Sequence, residues 1–241
     1  MSQQEQDLSV YLPEKRGALK ELFARLKSQV AFGVWQRAIK QHLGELGHGG
    51  LTLLDVGCGP GNLLTCLDRW FPESKLMALE MAPELISYAQ ERVRRCEILA
   101  VDLDKTAWPL EDHKVDVVLC IQVLEHLKDP ETFFVEAQRV LKPGGILLTA
   151  TPNPGGVAAK VMGQKWKSYR FDHISLEPVK YWRSMHEKYG FKIVRDGTTM
   201  LSGLPLMRKL PLALLNWLPL ILFGFLPWEG GESYMAIARK S

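Results

Sequence analysis

The feature that most constrains the fold is an alternation of short apolar runs with helix-like segments, which begins at residue 51. The runs are nearly continuous in apolar residues, a pattern typical of parallel strands that are buried on both faces of a sheet. They occupy residues 51–56, 75–80, 97–102, 115–121 and 145–151, and the helices predicted between them occupy 62–71, 83–94 and 130–141. This order predicts an α/β fold with a doubly wound sheet.

The chain after residue 151 departs from this rhythm. The sequence TPNPGG opens about two dozen residues without a strand pattern, and segments of that length in a compact domain are usually lids or binding loops. We therefore predict a lid loop at 152–176, followed by a helix at 177–189. Two further strands are predicted at 191–196 and 233–239.

An uncharged apolar segment, residues 210–228, lies between those last two strands. Its 19 residues approach the roughly 20 that span a bilayer, but three prolines and Gly224 interrupt it. A membrane span there would also prevent the last strand from pairing in the same sheet. The sequence instead predicts an apolar insertion at 204–228, before the last strand.

The charges of the chain nearly balance, because 30 Lys and Arg residues face 27 Asp and Glu residues, for a net charge of +3. A balance of this kind does not require a nucleic-acid partner. Basic residues are nevertheless concentrated in residues 15–40 and 137–171. Basic segments beside an apolar stretch favour peripheral contact with an anionic membrane. The alternative is that the apolar segment packs as a cap on the domain or in a dimer interface.

The cysteines and the N-terminus bear on the compartment. Four cysteines form no CxxC pair and have no zinc-site spacing with the six histidines, which predicts a reducing compartment and no structural metal. Glu5 and Asp7 precede any apolar run, so no signal peptide is predicted. A cytoplasmic location is therefore expected.

A glycine-rich loop with the spacing G-x-G-x-G follows the first predicted strand, at Gly57, Gly59 and Gly61. Such glycines let the backbone turn sharply and let a ligand approach closely. Acids lie near the carboxyl ends of the first three predicted strands, where open α/β sheets bind ligands. They are Asp55, Glu80 and Asp102. The alternative for each acid alone is a role as a turn former or helix cap.

These motifs resemble the class I S-adenosylmethionine-dependent methyltransferases. The resemblance is carried by LLDVGCGPGN (53–62), Glu80, Asp102, VDVVLCIQVLEHLKDP (115–130) and LKPGGILLTATPN (141–153). It implies a Rossmann-like, seven-stranded sheet whose last strand is antiparallel. It also implies that S-adenosylmethionine is the cofactor and lies across the strand ends.

The same resemblance implies roles for single residues. The loop glycines would lie under the methionine part of the cofactor, with Asp55 nearby, and Glu80 would hold the ribose. The residues that would pack on the adenine, flank it or line the site are Met81, Asp102, Leu103, Ile121 and Gln122.

Two later motifs point toward a branch of the class. VLEHLKDP (123–130) resembles the small-molecule O-methyltransferases of quinone biosynthesis, and W-x-x-Y-x-x-D-H-x-S (166–175) is similar to a branch associated with lipid or glycan pathways. Glu125, in the first motif, is interpreted as structural or as a contact for a substrate amine.

A hydroxyl acceptor requires a base with a pKa near neutral pH, which favours histidine. His126 follows the fourth predicted strand, and His173 lies in the lid loop directly after Asp172. A structural role at a helix start is the alternative for His126. Trp166 and Tyr169 are candidates for stacking on the acceptor, with packing inside the lid as the alternative.

Together these interpretations predict a methyltransferase domain at 51–241 behind an N-terminal helical extension at 1–50. The expected acceptor is a hydroxyl of a lipophilic or lipid-linked small molecule at the membrane surface. One alternative is a soluble enzyme that methylates a polar metabolite or natural product at oxygen or nitrogen. Another class of hypothesis is a non-catalytic interaction module with the methyltransferase fold. No nucleic-acid substrate is expected, because the base-methylating signature is replaced by Ile121-Gln122-Val123-Leu124.

Overall fold

A computed structural model describes residues 50–199 apart from Thr106 and Phe171, and residues 224–241. Between these ranges and before them it describes positions 32–33, 35–37, 39–41, 201, 204–208, 212, 218–219 and 222. Most of the predicted N-terminal extension therefore lies outside the described residues, as do 11 of the 25 residues of the apolar insertion.

Seven strands form one mixed sheet. They are β1 (Thr52–Val56), β2 (Lys75–Glu80), β3 (Glu97–Ala100), β4 (Val115–Ile121), β5 (Leu141–Pro152), β6 (Phe191–Thr198) and β7 (Ser233–Lys240). Their order across the sheet is β3-β2-β1-β4-β5-β7-β6. Strands β1 to β5 pair in parallel, whereas β7 is antiparallel to both β5 and β6. The predicted seven-stranded sheet with an antiparallel last strand is confirmed.

Helices connect the strands and cover the sheet. They are α1 (Asn62–Trp70), α2 (Pro83–Arg92), α3 (Pro130–Val140), α4 (Val157–Met162) and α5 (Val179–Lys188), with 3₁₀ turns at Leu124–His126, Gly163–Lys165 and Pro205–Arg208. A proline opens α2 and α3, because its fixed φ suits the first helical turn. The Asp129 side chain caps α3 by accepting the Glu131 N–H at 3.1 Å.

The core consists of two buried apolar clusters, one on each face of the sheet. Successive strand residues point to opposite faces, so Leu53 and Leu54 belong to different clusters, as do Val117 and Val118. This explains why the strands have continuous apolar runs. It also leaves the strand ends, rather than the faces, as the place for polar ligand-binding groups.

The structure corrects three sequence expectations. Strand β3 ends at Ala100, so Asp102 lies in the turn beyond the strand and not at its last residue. Strand β5 starts at Leu141 because a register shift between Val115 and Val117 admits an extra pairing with β4. The predicted lid loop contains helix α4, whose small residues Ala158 and Ala159 are buried.

Only fragments of the apolar insertion are among the described residues. Leu206, Leu218 and Leu222 are exposed there, whereas Phe225 is buried. In the part of the chain that the structure describes, no helix is both long enough and apolar enough to cross a bilayer.

Candidate active site

The glycine loop between β1 and α1 needs its glycines for two different reasons. Gly57, Gly59 and Gly61 have φ angles of 71°, 52° and 73°, a region that favours glycine. A Cβ atom at Gly57 would lie 2.5 Å from a Val123 methyl group, whereas a Cβ atom at Gly59 would meet no atom within 4 Å. The first glycine is thus required by packing, and the second borders open space that a ligand can enter.

Glu80 ties this loop to the end of β2. One carboxylate oxygen accepts the Gly59 N–H at 2.9 Å, and the other accepts the N–H groups of Met81 and Ala82 at 2.8 and 3.0 Å. Each carboxylate oxygen has two lone pairs, so the oxygen that accepts only the Gly59 N–H retains one that can accept a hydrogen bond from a ligand hydroxyl. The acid therefore shapes the loop and stays available to a ribose.

Asp55 is a buried acid at the end of β1. Its side chain is 2% exposed, and among the described residues its Oδ2 atom has no hydrogen-bond partner. Burial raises the pKa of Asp55 to about 8, and the nearby charge of Glu80 adds to the effect. A buried carboxyl group with an unpartnered oxygen suits a ligand that brings a positive charge.

The residues expected near an adenine line the neighbouring strand ends. Met81 is 53% exposed, and Leu103 is buried at the start of the β3–β4 connection. Asp102 accepts hydrogen bonds from Lys105 Nζ at 2.8 Å and from the Asp104 N–H at 3.1 Å, and the bond from Lys105 lowers the pKa of Asp102. Asp102 thus has the turn-forming contacts that the sequence left open as an alternative.

The end of β4 has an unusual backbone. Gln122 follows Ile121 with a φ of 60°, a left-handed conformation that is uncommon for a residue with a side chain. Its N–H donates to the Ala150 carbonyl at 2.8 Å, which fixes the chain where it leaves the sheet. The chain then enters the Leu124–His126 turn. We call this turn, with the lid residues that contact it, the acceptor side, because the predicted bases His126 and His173 lie there.

The two predicted histidines lie together on that side. The ring centroids of His126 and His173 are 4.6 Å apart, and the two ring planes are nearly perpendicular. Nδ1 of His126 is 2.9 Å from the Asp172 carbonyl, and Nδ1 of His173 is 2.8 Å from the Ser168 carbonyl. Because a carbonyl can only accept, these contacts place a proton on each Nδ1 and leave the Nε2 lone pair available. Burial lowers the pKa of both histidines, so they are neutral bases near pH 7.

The end of the lid is fixed onto this turn. Arg170 donates two hydrogen bonds of 2.8 Å to the buried Asp172 carboxylate. Ser175 donates its N–H to the Glu125 carbonyl at 3.0 Å and its hydroxyl to the Leu127 carbonyl at 2.6 Å. These contacts bring His173 to His126 although the two are far apart in the chain.

Glu125 is the residue whose position sequence reasoning did not anticipate. Its side chain is 1% exposed, one oxygen accepts the Thr151 hydroxyl at 3.3 Å, and burial raises its pKa to about 8. One ligand-type atom of Glu125 and one from each histidine all lie within 4.8 Å of one another. In the sequence, only the adjacency of Glu125 and His126 indicated this cluster. The sequence did not indicate that His173 of the lid lies beside them.

The two lid aromatics differ in exposure. Trp166 is 1% exposed, packs against Ala158 and Ala159, and donates its indole N–H to Glu232 at 2.8 Å. Tyr169 is exposed and meets Trp166 edge to face, with ring centroids 5.1 Å apart. Trp166 therefore has the packing role that the sequence gave as its alternative, and Tyr169 faces outward.

The residues at the carboxyl edge fit S-adenosylmethionine. The open space at Gly59 admits a ligand against the loop backbone, Glu80 offers acceptor lone pairs, and Asp55 has a buried oxygen without a partner among the described residues. These features match the methionine part, the ribose hydroxyls and the positive charge of that molecule.

Comparison with known proteins identifies relatives. Residues 54–149 match a family described as a methyltransferase domain. The malonyl-[acyl-carrier protein] O-methyltransferase of Hahella chejuensis is 39% identical over 100 residues, covering 41% of this chain and 36% of that protein. The ubiquinone biosynthesis O-methyltransferase of Cereibacter sphaeroides is 34% identical over 122 residues, or 48% of each chain. The matches span less than half the length of these curated relatives.

Solved structures share the fold. The geranyl diphosphate C-methyltransferase from Streptomyces coelicolor A3(2), in complex with Mg²⁺, geranyl diphosphate and S-adenosyl-L-homocysteine, superposes with a TM-score of 0.61. The match covers 87% of this chain and 77% of that chain at 18% identity. At this identity the similarity shows a common fold.

Proposed function

Because the chain carries a class I S-adenosylmethionine-dependent methyltransferase domain, we propose that it methylates a hydroxyl of a lipophilic or lipid-linked small molecule at a membrane surface. The observation that supports this best is the proximity of the cofactor-type loop to a pair of neutral histidines. Val123, which packs against Gly57, directly precedes the Leu124–His126 turn and accepts the His126 N–H at 2.9 Å.

Each predicted cofactor-binding residue contacts the part of S-adenosylmethionine that suits its chemistry. S-adenosylmethionine supplies an electrophilic methyl group on a sulfonium centre. The loop glycines lie under its methionine part, Asp55 meets its positive charge, and Glu80 accepts a ribose hydroxyl. The residues assigned to the adenine and to the wall of the site are Met81, Asp102, Leu103, Ile121 and Gln122.

His173 is the base in this proposal, with His126 as the second candidate. A neutral imidazole with an available Nε2 lone pair accepts the proton of the acceptor hydroxyl, a contribution of about 10²–10⁴-fold in rate. The Asp172 and Ser168 carbonyls hold the two rings in that tautomer. Alignment of the acceptor by the lid and exclusion of water supply the remaining acceleration.

The surface of the lid supports the membrane part of the proposal. Of the six basic residues in 137–171, three are paired with acids: Arg139, Lys142 and Arg170. The other three are exposed on the lid: Lys160, Lys165 and Lys167. Val161, next to Lys160, is 71% exposed, and Val157 is also exposed. Exposed apolar and basic side chains on one segment suit an anionic lipid surface.

The names of similar proteins agree with a lipophilic or carrier-bound acceptor. They refer to ubiquinone biosynthesis and to a malonyl-[acyl-carrier protein]. Because the sequence matches cover less than half of the curated proteins, these names support the class of acceptor and do not identify it.

The acceptor class is tested by incubating the purified chain with methyl-labelled S-adenosylmethionine and either a lipid or a polar extract of the host. We expect label in the lipid fraction with the wild-type protein and a large loss with His173→Gln. Label in the polar fraction alone would favour the soluble alternative. Bound cofactor without label in either fraction would favour a non-catalytic module.

Membrane contact is tested by co-sedimentation with anionic and with zwitterionic vesicles. We compare a lid variant, Lys160→Glu, Lys165→Glu and Lys167→Glu, with a control variant that reverses three lysines at the opposite edge of the sheet, Lys75, Lys114 and Lys192. Each lysine near an anionic surface contributes about 1 kcal/mol, so only the lid variant should lose anionic binding. Equal binding by the two variants contradicts the assignment of the lid.

A further inference from the structure

Three side chains of metal-ligating type meet beside the acceptor side of the site. Glu125 and His126 come from the turn after β4, and His173 comes from the lid. One ligand-type atom of each lies within 4.8 Å of the others. Carboxylate and imidazole are the ligands of many zinc and non-haem metal sites.

The hydrogen bonds of the two histidines suit a metal site. The Nδ1 atoms of His126 and His173 are taken by the backbone carbonyls of Asp172 and Ser168. Metal-binding histidines usually donate their second ring N–H to a carbonyl or carboxylate, which fixes the ring and directs the other nitrogen at the metal. Both Nε2 atoms therefore have the protonation state of a ligand before any ion binds.

Glu125 provides an independent observation. Its side chain is 1% exposed, and among the described residues its Oε1 atom has no hydrogen-bond partner. The Thr151 hydroxyl satisfies only the other oxygen. A buried acceptor without a partner costs free energy unless a cation or a proton meets it.

From this juxtaposition we propose that Glu125, His126 and His173 form a site for a divalent first-row transition cation, with Zn²⁺ as the expected occupant. Zinc binds such ligands at about 2.0–2.1 Å, which sets tetrahedral ligand atoms about 3.3 Å apart, so modest side-chain shifts close the site. Three protein ligands leave a fourth position for water.

Occupancy of this site has a consequence for catalysis that rests on the proposed function. The cation uses the same Nε2 lone pairs that accept the proton of the acceptor hydroxyl. A filled site therefore blocks the base, and Zn²⁺ acts as a reversible inhibitor of methyl transfer.

The site is tested by calorimetric titration of the EDTA-treated, dialysed full chain with Zn²⁺, and by the absorbance of bound Co²⁺. The ligand variants are Glu125→Gln, His126→Gln and His173→Gln. The control is His113→Asn, which changes an exposed histidine at the opposite edge of the sheet and suits its positive φ. Each ligand variant should bind Zn²⁺ at least about 10-fold more weakly than wild type, whereas the control should not change.

Ligand variants that bind Zn²⁺ as tightly as the wild type, or a wild type that does not bind it, overturn the site. If one variant does not fold, the other two still decide the question. Methyl transfer, measured separately, should fall at saturating Zn²⁺ and recover with EDTA. Undiminished transfer at saturating Zn²⁺ overturns the inhibition, and absence of transfer in the cation-free protein is a failure of the proposed function alone.

Discussion

Two glutamates of the carboxyl edge, Glu80 on the cofactor side and Glu125 on the acceptor side, differ in how their carboxylates are satisfied. On the cofactor side, Glu80 accepts hydrogen bonds from three backbone N–H groups of its own turn and of the adjoining glycine loop. On the acceptor side, Glu125 has one weak bond from Thr151 and, among the described residues, an oxygen without a partner. Backbone groups of short loops at neighbouring strand ends hold Glu80 in place. Glu125 still has an oxygen that can accept a hydrogen bond or bind a cation.

This difference separates binding from turnover. Among the described residues, the hydrogen bonds that Glu80 accepts come from its own turn and from the glycine loop, so the residues of the cofactor side should control the affinity for S-adenosylmethionine. The acceptor side is complete only when the 168–175 segment packs onto the Leu124–His126 turn. Its residues should control the rate of transfer and leave cofactor affinity unchanged.

The largest effect is expected on the acceptor side. His173→Gln removes the proposed base and should lower kcat by about 10²–10⁴-fold. Cofactor affinity, measured by calorimetry, should equal that of the wild type, because the glycine loop is untouched. His113→Asn serves as the matched histidine control. A His173→Gln variant with full activity would move the base to His126.

A smaller effect is expected for the acid of the cofactor side. Glu80→Ala removes three backbone hydrogen bonds and the ribose acceptor, and should weaken S-adenosylmethionine binding by about 100-fold. Glu97→Gln, which removes a charge from an exposed position on the neighbouring strand, should leave it unchanged. Equal affinity of Glu80→Ala and wild type would contradict the role of this acid.

Substitution of two glycines in the same loop by alanine should affect different properties, stability for Gly57 and cofactor binding for Gly59. Both have positive φ, so Gly57→Ala and Gly59→Ala share a backbone cost of about 1 kcal/mol. Only Gly57→Ala also clashes with Val123, which should lower the free energy of unfolding by a further 1–3 kcal/mol or so. Gly59→Ala should instead weaken cofactor binding, because its methyl group enters the ligand space. Chemical denaturation and calorimetry of the two variants measure this contrast.

The smallest effect concerns Asp55. Its pKa of about 8 means that the unliganded protein holds a proton there at pH 7, and a cationic ligand should expel it. Calorimetry in buffers of different ionisation enthalpy should detect proton release by the wild type and none by Asp55→Asn. The variant should bind the cofactor about 10-fold more weakly.

Asp55 also has an effect on stability, whose sign follows from the raised pKa. Between the ordinary pKa of the unfolded chain and the value of about 8 in the fold, the native state binds more protons than the unfolded state. The free energy of unfolding of the unliganded protein should therefore decline as pH rises toward 8. Asp55→Asn should reduce this decline, and an unchanged pH profile would contradict the assigned protonation.

The sequence predicted the cofactor side well because that side depends on local signals. Strand ends, a glycine loop and an acid at the end of the next strand are all visible in short windows, and β2 ends at Glu80 as expected. The third strand was predicted to end at Asp102, two residues too late. The apolar run EILAV continues past Ala100, the last residue of β3 that pairs with β2.

The acceptor side could be predicted only in part. His126 and His173 were identified from chemistry, but their contact depends on Arg170, Asp172 and Ser175, whose partners lie far away in the chain. The proximity of Glu125 to both histidines depends on the same contacts between distant parts of the chain. Trp166 shows the limit of aromatic patterns, since its packing role depends on contacts with Ala158 and Ala159 and on a hydrogen bond to Glu232, directly before β7.

In this proposal the carboxyl edge binds S-adenosylmethionine through local structure and transfers its methyl group with His173 of the lid as the base. Calorimetric titration of the wild type, Glu80→Ala and His173→Gln with S-adenosylmethionine tests it most directly. We expect tight binding by the wild type and by His173→Gln, and strongly weakened binding by Glu80→Ala. No binding by the wild type at millimolar ligand, or equal binding by all three proteins, would contradict the account.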